Sequence, residues 1–99
     1  MKKVEIKGII PPIITPMNED ESVNEAELRR QVNRQIAGGV HGIFCFGTNG
    51  EGYILNEKEK EKILDAVIDE TDGRVPVYAG TGCISTKDTI LQSQMAERM

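Results

Sequence analysis

The segment with the most potential for binding chemistry is glycine-rich: Gly47-Thr48-Asn49-Gly50-Glu51-Gly52. Glycines let a backbone turn tightly and approach a ligand closely, so that amide N–H groups can bind an anion. Thr48 adds a hydroxyl that donates and accepts hydrogen bonds, and Asn49 adds an amide donor and a carbonyl acceptor. The segment therefore predicts a site for a carboxylate or a phosphate. A tight polar turn without a ligand is the alternative that composition alone leaves open.

The other chemically active side chains are poorly placed for catalysis. His41, the only histidine, precedes a predicted strand, at the end of the sheet where residues serve stability. Cys45 lies inside that strand and is predicted to be packed, whereas Cys83 is a loop thiol with no basic partner nearby in sequence. The lysines precede the first predicted strand or lie on helices, where none is placed as the desolvated amine of a Schiff base. The charged run Glu57–Lys62 is predicted to be a solvated helix face.

The glycine-rich segment belongs to a repeat that positions it. Short apolar runs end in a threonine beside glycine or proline at Thr15, Thr48 and Thr81, with a spacing of 33 residues both times. Each run is followed by a turn and a helical pattern, which is typical of βα units around a parallel sheet. The predicted strands lie within residues 8–16, 42–48 and 75–82. Because the carboxyl ends of parallel strands meet at one edge of the sheet, we expect the threonines to lie there together.

Capping and stop signals delimit the predicted helices. The first begins at a Ser-x-x-Glu capping box, Ser22–Glu25, and ends at Gly38-Gly39. The second begins at Asn56–Glu59 and ends at Asp72-Gly73, and the third begins near Ser85 and runs to the last residue given. Their apolar stripes are Leu28, Val32 and Ile36; Ile63, Leu64, Val67 and Ile68; and Ile90, Leu91 and Met95.

The predicted fold class is α/β, with the first three βα units of a (β/α)₈ barrel. Such a barrel takes about 250 residues, or roughly 31 per unit, close to the spacing of 33 found here. Residues 1–99 are therefore expected to be the N-terminal portion of a single barrel domain that is incomplete as given. An open doubly wound sheet is the alternative. Pro11-Pro12 in the first run removes ladder donors and is typical of an edge strand.

Composition excludes several classes of protein. The formal net charge is −4, from 16 acidic and 12 basic residues, and aromatic residues make up 4% with no tryptophan. This balance argues against binding to nucleic acid or to an anionic membrane surface. No apolar run approaches the roughly 20 residues that a membrane span needs, and the start turns polar too soon for a secretory signal. A cytoplasmic protein is expected. No metal or cofactor is predicted, because the segment 47–52 fits neither a P-loop nor a dinucleotide fingerprint and the cysteines lack metal-ligand spacing.

Four motifs occur in one order along almost the whole chain. They are Thr15-Pro16-Met17, Gly47-Thr48-Asn49-Gly50-Glu51, Leu55-Asn56-Glu57-Lys58-Glu59 and Val75-Pro76-Val77-Tyr78-Ala79-Gly80-Thr81-Gly82. In this register they resemble the N-terminal third of the dihydrodipicolinate synthase / N-acetylneuraminate lyase family. The resemblance implies a (β/α)₈ barrel and class I aldolase chemistry, in which a barrel lysine forms a Schiff base with pyruvate or another 2-keto acid and the resulting enamine adds to an aldehyde.

The resemblance also implies roles for two residues. The first hydroxyl residue of the family's Gly-Thr-Thr-Gly-Glu loop falls on Thr48, as a catalytic and substrate-binding residue in a proton relay with tyrosines from later in the chain and from a neighbouring subunit. The second falls on Asn49, whose position holds the keto-acid carboxylate. The family's Schiff-base lysine and catalytic tyrosine belong to later strands, so these residues alone do not complete the mechanism. Homo-oligomers, commonly tetramers, and a role in lysine biosynthesis are implied in the same way.

Asn49 departs from the synthase pattern, which usually has a second threonine there. The resemblance therefore leaves alternatives: an N-acetylneuraminate lyase, or a hydroxy-oxo-acid or keto-deoxy-sugar-acid aldolase. Other classes also remain open. One is a truncated, non-catalytic chain that associates with itself through exposed sheet edges; another is a nucleotide-binding α/β domain.

Overall fold

The computed structural model describes residues 4–48 and 50–99, with Tyr53 described by its backbone alone. The elements are helix α1 (Glu25–Ala37), strand β1 (Ile43–Cys45), a 3₁₀ helix (Gly52–Ile54), helix α2 (Glu57–Thr71), strand β2 (Val77–Ala79) and helix α3 (Thr86–Arg98). β1 and β2 pair in parallel, with Phe44 opposite Tyr78. The connection through α2 makes them a βαβ unit, as the repeat predicts.

The first predicted strand, within residues 8–16, does not form a regular strand; we call these residues the proline segment. Pro12 makes a single parallel bridge to Phe44. The N–H of Ile13 donates to the Phe44 carbonyl at 3.0 Å, and the N–H of Phe44 donates to the Pro11 carbonyl at 3.1 Å. Because Pro11 and Pro12 have no N–H, the ladder cannot extend through them. The segment still lies beside β1 on the edge opposite β2, so the order in space follows the order in sequence.

The hydrophobic core lies on one face of this sheet. Ile43 and Cys45 are buried in a single cluster with residues of every described helix: Leu28 and Val32 of α1, Ile63, Leu64, Ala66 and Val67 of α2, and Met95 of α3. Since strand side chains alternate, Phe44 and Tyr78 project from the other face. A doubly wound sheet has helices on both faces, whereas a barrel has them on the outside only. In the described residues the helices lie on one face of the sheet only, which is the arrangement expected of consecutive barrel units.

The helix starts follow their predicted caps, with one exception. α2 begins after Asn56, the predicted start, where Asn56 and Glu59 form a capping box, and α3 begins after Ser85. The Ser22–Glu25 capping box predicted for α1 is wrong. The N-cap is Asn24, whose side chain accepts a hydrogen bond from the first turn of the helix at 3.0 Å. Ser22 instead bonds to Asp20, which lowers the pKa of that carboxyl, so a local turn takes the hydroxyl that the capping box would need.

A polar network joins the outer faces of α1 and α2. Arg29 pairs with Asp69 at 2.7 Å and with Glu70 at 3.1 Å. Asn33 donates to Glu70 at 2.6 Å and accepts from Arg74 at 2.6 Å. The hydrogen bonds from Asn33 and then Arg29 lower the pKa of Glu70, and those to Asp69 and Glu70 raise the pKa of Arg29. The network fixes the two helices side by side above the apolar core.

α3 is the least covered of the described helices. Met95 is buried, but Ile90 and Leu91 of the same predicted apolar stripe remain about half exposed. Within residues 4–48 and 50–99, no helix combines the length and the apolar character needed to cross a membrane.

Candidate functional site

The candidate site begins where β1 ends. Phe46 has a left-handed backbone with φ of 66°, although its side chain is bulky and only 8% exposed. This conformation costs a non-glycine residue roughly 1–2 kcal/mol, and such strain is typical of functional sites. The turn leads into residues 47–52, which we call the glycine loop. The loop closes on itself through hydrogen bonds from the N–H of Gly50 to the Gly47 carbonyl and from the N–H of Glu51 to the Thr48 carbonyl, each at 3.0 Å.

Close backbone contacts explain the glycines around this turn. A Cβ on Gly52 would overlap the carbonyl oxygen of Phe46, and one on Gly80 would lie 2.9 Å from the same oxygen. A Cβ on Gly50 would lie 2.8 Å from the Ile13 carbonyl of the proline segment. Real Cβ atoms essentially never show such distances. The loop is therefore packed tightly against its neighbours, and the glycines permit that contact.

Among the described residues of the glycine loop, Gly47 and Thr48 have the hydrogen-bond donors that remain available for a ligand. The N–H groups of Gly50, Glu51 and Gly52 donate within the loop. Those of Gly47 and Thr48 donate to none of the residues that the structure describes, and the Thr48 hydroxyl likewise has no partner among them. Asn49, the predicted carboxylate-binding residue, lies outside the described residues.

A small cleft of about 160 Å³ opens beside Thr48. It is lined by Phe46, Gly47, Thr48, Gly52 and Gly82. Thr48 is exposed here, and its N–H and hydroxyl have no partner among the described residues, so both groups remain available as hydrogen-bond donors. The sequence-predicted residue Thr48 thus stands at the carboxyl end of the strand, where parallel α/β folds bind ligands.

The threonines of the repeat have separate partners. The Thr15 hydroxyl is buried and donates to the Gly50 carbonyl at 2.6 Å. Thr15 therefore bonds to the backbone of the glycine loop and supports it. The Thr81 hydroxyl accepts from Ser93 at 2.9 Å. Of the three, Thr48 is the one whose hydroxyl has no partner among the described residues. Their shared position in the repeat therefore does not give them a shared role.

A larger cleft of about 450 Å³ adjoins the loop. It is lined by Gly52, Leu55, Lys60, Gly82, Cys83, Ile84, Asp88 and Gln92. The prediction that Glu57–Lys62 is a solvated face is wrong at Lys60, which is only 6% exposed and places its Nζ 6.0 Å from the centre of the Phe46 ring. The signal was in the sequence, because Lys60 precedes Ile63 and Leu64 by three and four residues and so shares their buried face.

The histidine and the two cysteines lie outside the glycine loop. The His41 Nδ1 accepts a hydrogen bond from the Ile9 N–H at 3.0 Å, and the backbone N–H of His41 donates to the Ile9 carbonyl at 2.8 Å. It ties the proline segment to the start of β1. Cys45 is buried, and burial raises the pKa of its thiol to about 12, so it is no nucleophile at neutral pH. Cys83 is exposed at the rim of the larger cleft.

The fold and the loop together define a class of protein: βα-barrel units with a glycine-rich loop at the carboxyl end of a strand. The dihydrodipicolinate synthetase family matches residues 5–99. The chain belongs to that family.

The chain is similar to known proteins both in sequence and in structure. The 4-hydroxy-tetrahydrodipicolinate synthase of Methanopyrus kandleri is 42% identical over 94 residues, which are 94% of this chain and 31% of that protein. The dihydrodipicolinate synthase of Acinetobacter baumannii, solved with pyruvate, superposes with a TM-score of 0.92 at 33% identity, over 95% of this chain and 32% of that chain. N-acetylneuraminate lyase of Mycoplasma synoviae superposes with a TM-score of 0.84 at 27% identity, over 93% of this chain and 32% of that chain. The chain thus spans about a third of the length of these relatives.

Proposed function

We propose that residues 1–99 are the N-terminal portion of the single barrel domain of a pyruvate-dependent class I aldolase or lyase. The proposed activity is of the dihydrodipicolinate synthase type, which condenses pyruvate with an aldehyde. The observation that carries the proposal is the position of Thr48, exposed at the carboxyl end of β1 with the N–H groups of Gly47 and Thr48 unused by the described residues. The pyruvate in the Acinetobacter baumannii structure supports the choice of ligand.

The proposed chemistry divides between this chain and later strands. A lysine outside residues 1–99 attacks the keto carbon of pyruvate and expels water to form a C=N bond. Loss of a proton from the pyruvate methyl group then gives an enamine that attacks the aldehyde carbon. Thr48 would pass protons between the Schiff base and tyrosines supplied by other parts of the assembly, and Asn49 would hold the carboxylate. Both roles rest on the resemblance of the glycine loop.

The wider proposal is a cytoplasmic homo-oligomer, commonly a tetramer in this family, that acts in lysine biosynthesis. It rests on the family resemblance and on the names of the curated relatives. A second candidate is a lyase acting in the cleavage direction, favoured by Asn49 in place of a threonine and by the likeness to N-acetylneuraminate lyase. An activity assay separates the two candidates. Consumption of pyruvate in the presence of an added aldehyde supports the synthase, whereas release of pyruvate from N-acetylneuraminate supports the lyase.

The test is the intact mass of the native gene product before and after treatment with pyruvate and borohydride, which reduces the C=N bond to a stable amine. We expect one reduced pyruvate adduct per chain, mapped by peptide digestion to a lysine outside residues 1–99. A gene product of 11.0 kDa that gains no adduct contradicts the proposal; concentration-dependent size would then favour the self-associating fragment. An adduct on Lys60 would contradict the assignment of the lysine.

Thr48→Val tests the role of the loop. Loss of the hydroxyl should lower pyruvate-dependent turnover by about a hundredfold, in the range of a lost proton-transfer group, while adduct formation persists. Thr48→Ser should restore most of the turnover. The control is Thr86→Val, the same exchange at an exposed threonine at the start of α3, which should leave turnover unchanged. Equal turnover in Thr48→Val and Thr86→Val would remove Thr48 from the mechanism.

A further inference from the structure

A buried amide on α1 holds the end of the proline segment. Gln31 is only 6% exposed. Its Oε1 accepts from the Ile14 N–H at 3.1 Å, and its Nε2 donates to the Ile14 carbonyl at 3.0 Å. One side chain therefore takes both backbone groups of a single residue, as a neighbouring strand would take them. A buried amide is stable here because both of its ends are paired.

Thr15, the residue after Ile14, connects the proline segment to the glycine loop. Thr15 is 7% exposed, and its hydroxyl donates to the Gly50 carbonyl at 2.6 Å across 35 residues of sequence. On the same side, Gly50 packs so closely against the Ile13 carbonyl that a Cβ would lie 2.8 Å from it. The proline segment thus touches Gly50 both by a hydrogen bond and by direct contact.

The position of Gly50 is coupled to that of Thr48. The N–H of Gly50 donates to the Gly47 carbonyl, and the N–H of Glu51 donates to the Thr48 carbonyl, each at 3.0 Å. A loop with glycines at 47, 50 and 52 has high conformational freedom of its own, so an external tether decides how well it is fixed.

We propose that Gln31 and Thr15 are positioning residues for the 2-keto acid at Thr48, acting in the order Gln31, Ile14, Thr15, Gly50. This rests on the proposed function. Neither side chain touches the ligand. Instead, the buried amide fixes Ile14, Ile14 fixes the adjoining Thr15, and the Thr15 hydroxyl holds the loop so that the donors at Gly47 and Thr48 face the cleft. Misplacement of a binding group by about 1 Å can cost up to a hundredfold in rate.

The experiment compares Thr15→Val, which keeps the shape and removes the hydroxyl, with Thr15→Ser, which keeps the hydroxyl. In the native gene product, two quantities are measured: hydrogen–deuterium exchange of the amides of residues 50–52, and the pyruvate concentration that half-saturates borohydride trapping. Thr15→Val should speed that exchange and raise the half-saturating concentration, each by about tenfold, while Thr15→Ser stays within about twofold of the wild type.

A second pair of variants tests the start of the chain of contacts. Gln31→Met removes both hydrogen bonds to Ile14 while nearly preserving volume, and it should act in the same direction as Thr15→Val. The matched control is Gln35→Met, one turn further along α1, whose side chain bonds to no described residue. It should change neither quantity.

The outcomes separate the positioning role from the proposed function. If the wild type traps no pyruvate, the proposed function is wrong and the positioning role fails with it. If the wild type traps pyruvate but Thr15→Val has the half-saturation of Thr15→Ser, only the positioning role is wrong. Faster exchange spread evenly over the whole chain, with unchanged half-saturation, would also overturn it, because that result describes a merely structural hydroxyl.

Discussion

Replacement of Gly52 by alanine tests the packing that holds the candidate site. The added Cβ would overlap the Phe46 carbonyl oxygen and would lie 2.9 Å from both the carbonyl carbon and the Cβ of Phe46. Two of these three atoms are backbone atoms. Gly80 also lies near this oxygen, since a Cβ on Gly80 would be 2.9 Å from it. Phe46 is itself in the left-handed region, so a rotation of its peptide has little room.

The expected cost follows from this geometry. Overpacking of a filled site typically costs 1–3 kcal/mol, and a clash with fixed backbone belongs in the upper half of that range. We expect Gly52→Ala to lower the free energy of unfolding by about 2 kcal/mol, which is roughly a thirtyfold change in the unfolding equilibrium. The Phe46 turn would shift with it, so under the proposed function the half-saturating pyruvate concentration should rise as well.

Urea unfolding of the native gene product measures this cost, with Gly82→Ala as the matched control. Both glycines line the small cleft, but a Cβ on Gly82 meets nothing within 4 Å. Gly82→Ala should therefore be neutral or stabilise slightly, because alanine reduces the freedom of the unfolded chain. If the two variants unfold within about 0.5 kcal/mol of each other, the close contact at Phe46 does not constrain the loop, and the packing argument is refuted.

Two further predictions concern titration and reactivity. Because hydrogen bonds from Asn33 and then Arg29 lower the pKa of Glu70 from its ordinary 4.5, the Glu70 carboxylate stabilises the fold above that value, and the contribution disappears as the pH falls through the lowered pKa. The stability difference between the wild type and Glu70→Gln, measured by urea unfolding, should shrink below pH 4.5; a constant difference would contradict the role of the network. Because burial raises the pKa of Cys45 to about 12 while Cys83 is exposed, iodoacetamide at neutral pH should modify Cys83 in the native protein and Cys45 only after unfolding. Peptide mapping that finds both thiols modified at similar rates without denaturant would contradict the buried position of Cys45.

The sequence was most informative where periodicity and capping acted together. The start signal at Asn56–Glu59 and the stripe of Ile63, Leu64 and Val67 predicted α2; in the structure Asn56 and Glu59 form a capping box and the stripe is buried. The repeat also predicted parallel pairing of β1 and β2. These features are local, or depend on hydrophobic pattern alone, which is what a single sequence records best.

Predictions failed where a tertiary contact replaced a local preference. Pro11 and Pro12 prevent a regular first strand, yet backbone bonds to β1 and the amide of Gln31 hold that segment in the position of a strand. Nothing local in α1 distinguishes Gln31 from Gln35, although only Gln31 is buried. For Lys60, in contrast, the sequence did contain the signal. Lys60 lies three residues before Ile63 on the same helix face, so it is buried although the residues around it in sequence are charged.

The glycines of the candidate site illustrate how a composition signal can be misread. Gly52 and Gly80 come from different βα units, yet each approaches the carbonyl of Phe46, and Gly50 approaches the proline segment. A glycine-rich stretch suggests flexibility when it is seen alone. Here Gly50, Gly52 and Gly80 each lack a Cβ that would collide with another stretch of backbone, so these residues make the loop closely packed. A packed loop loses less conformational entropy when a ligand binds than a free one does. This gives a physical reason for placing Thr48 beside strained and crowded backbone rather than in an open turn.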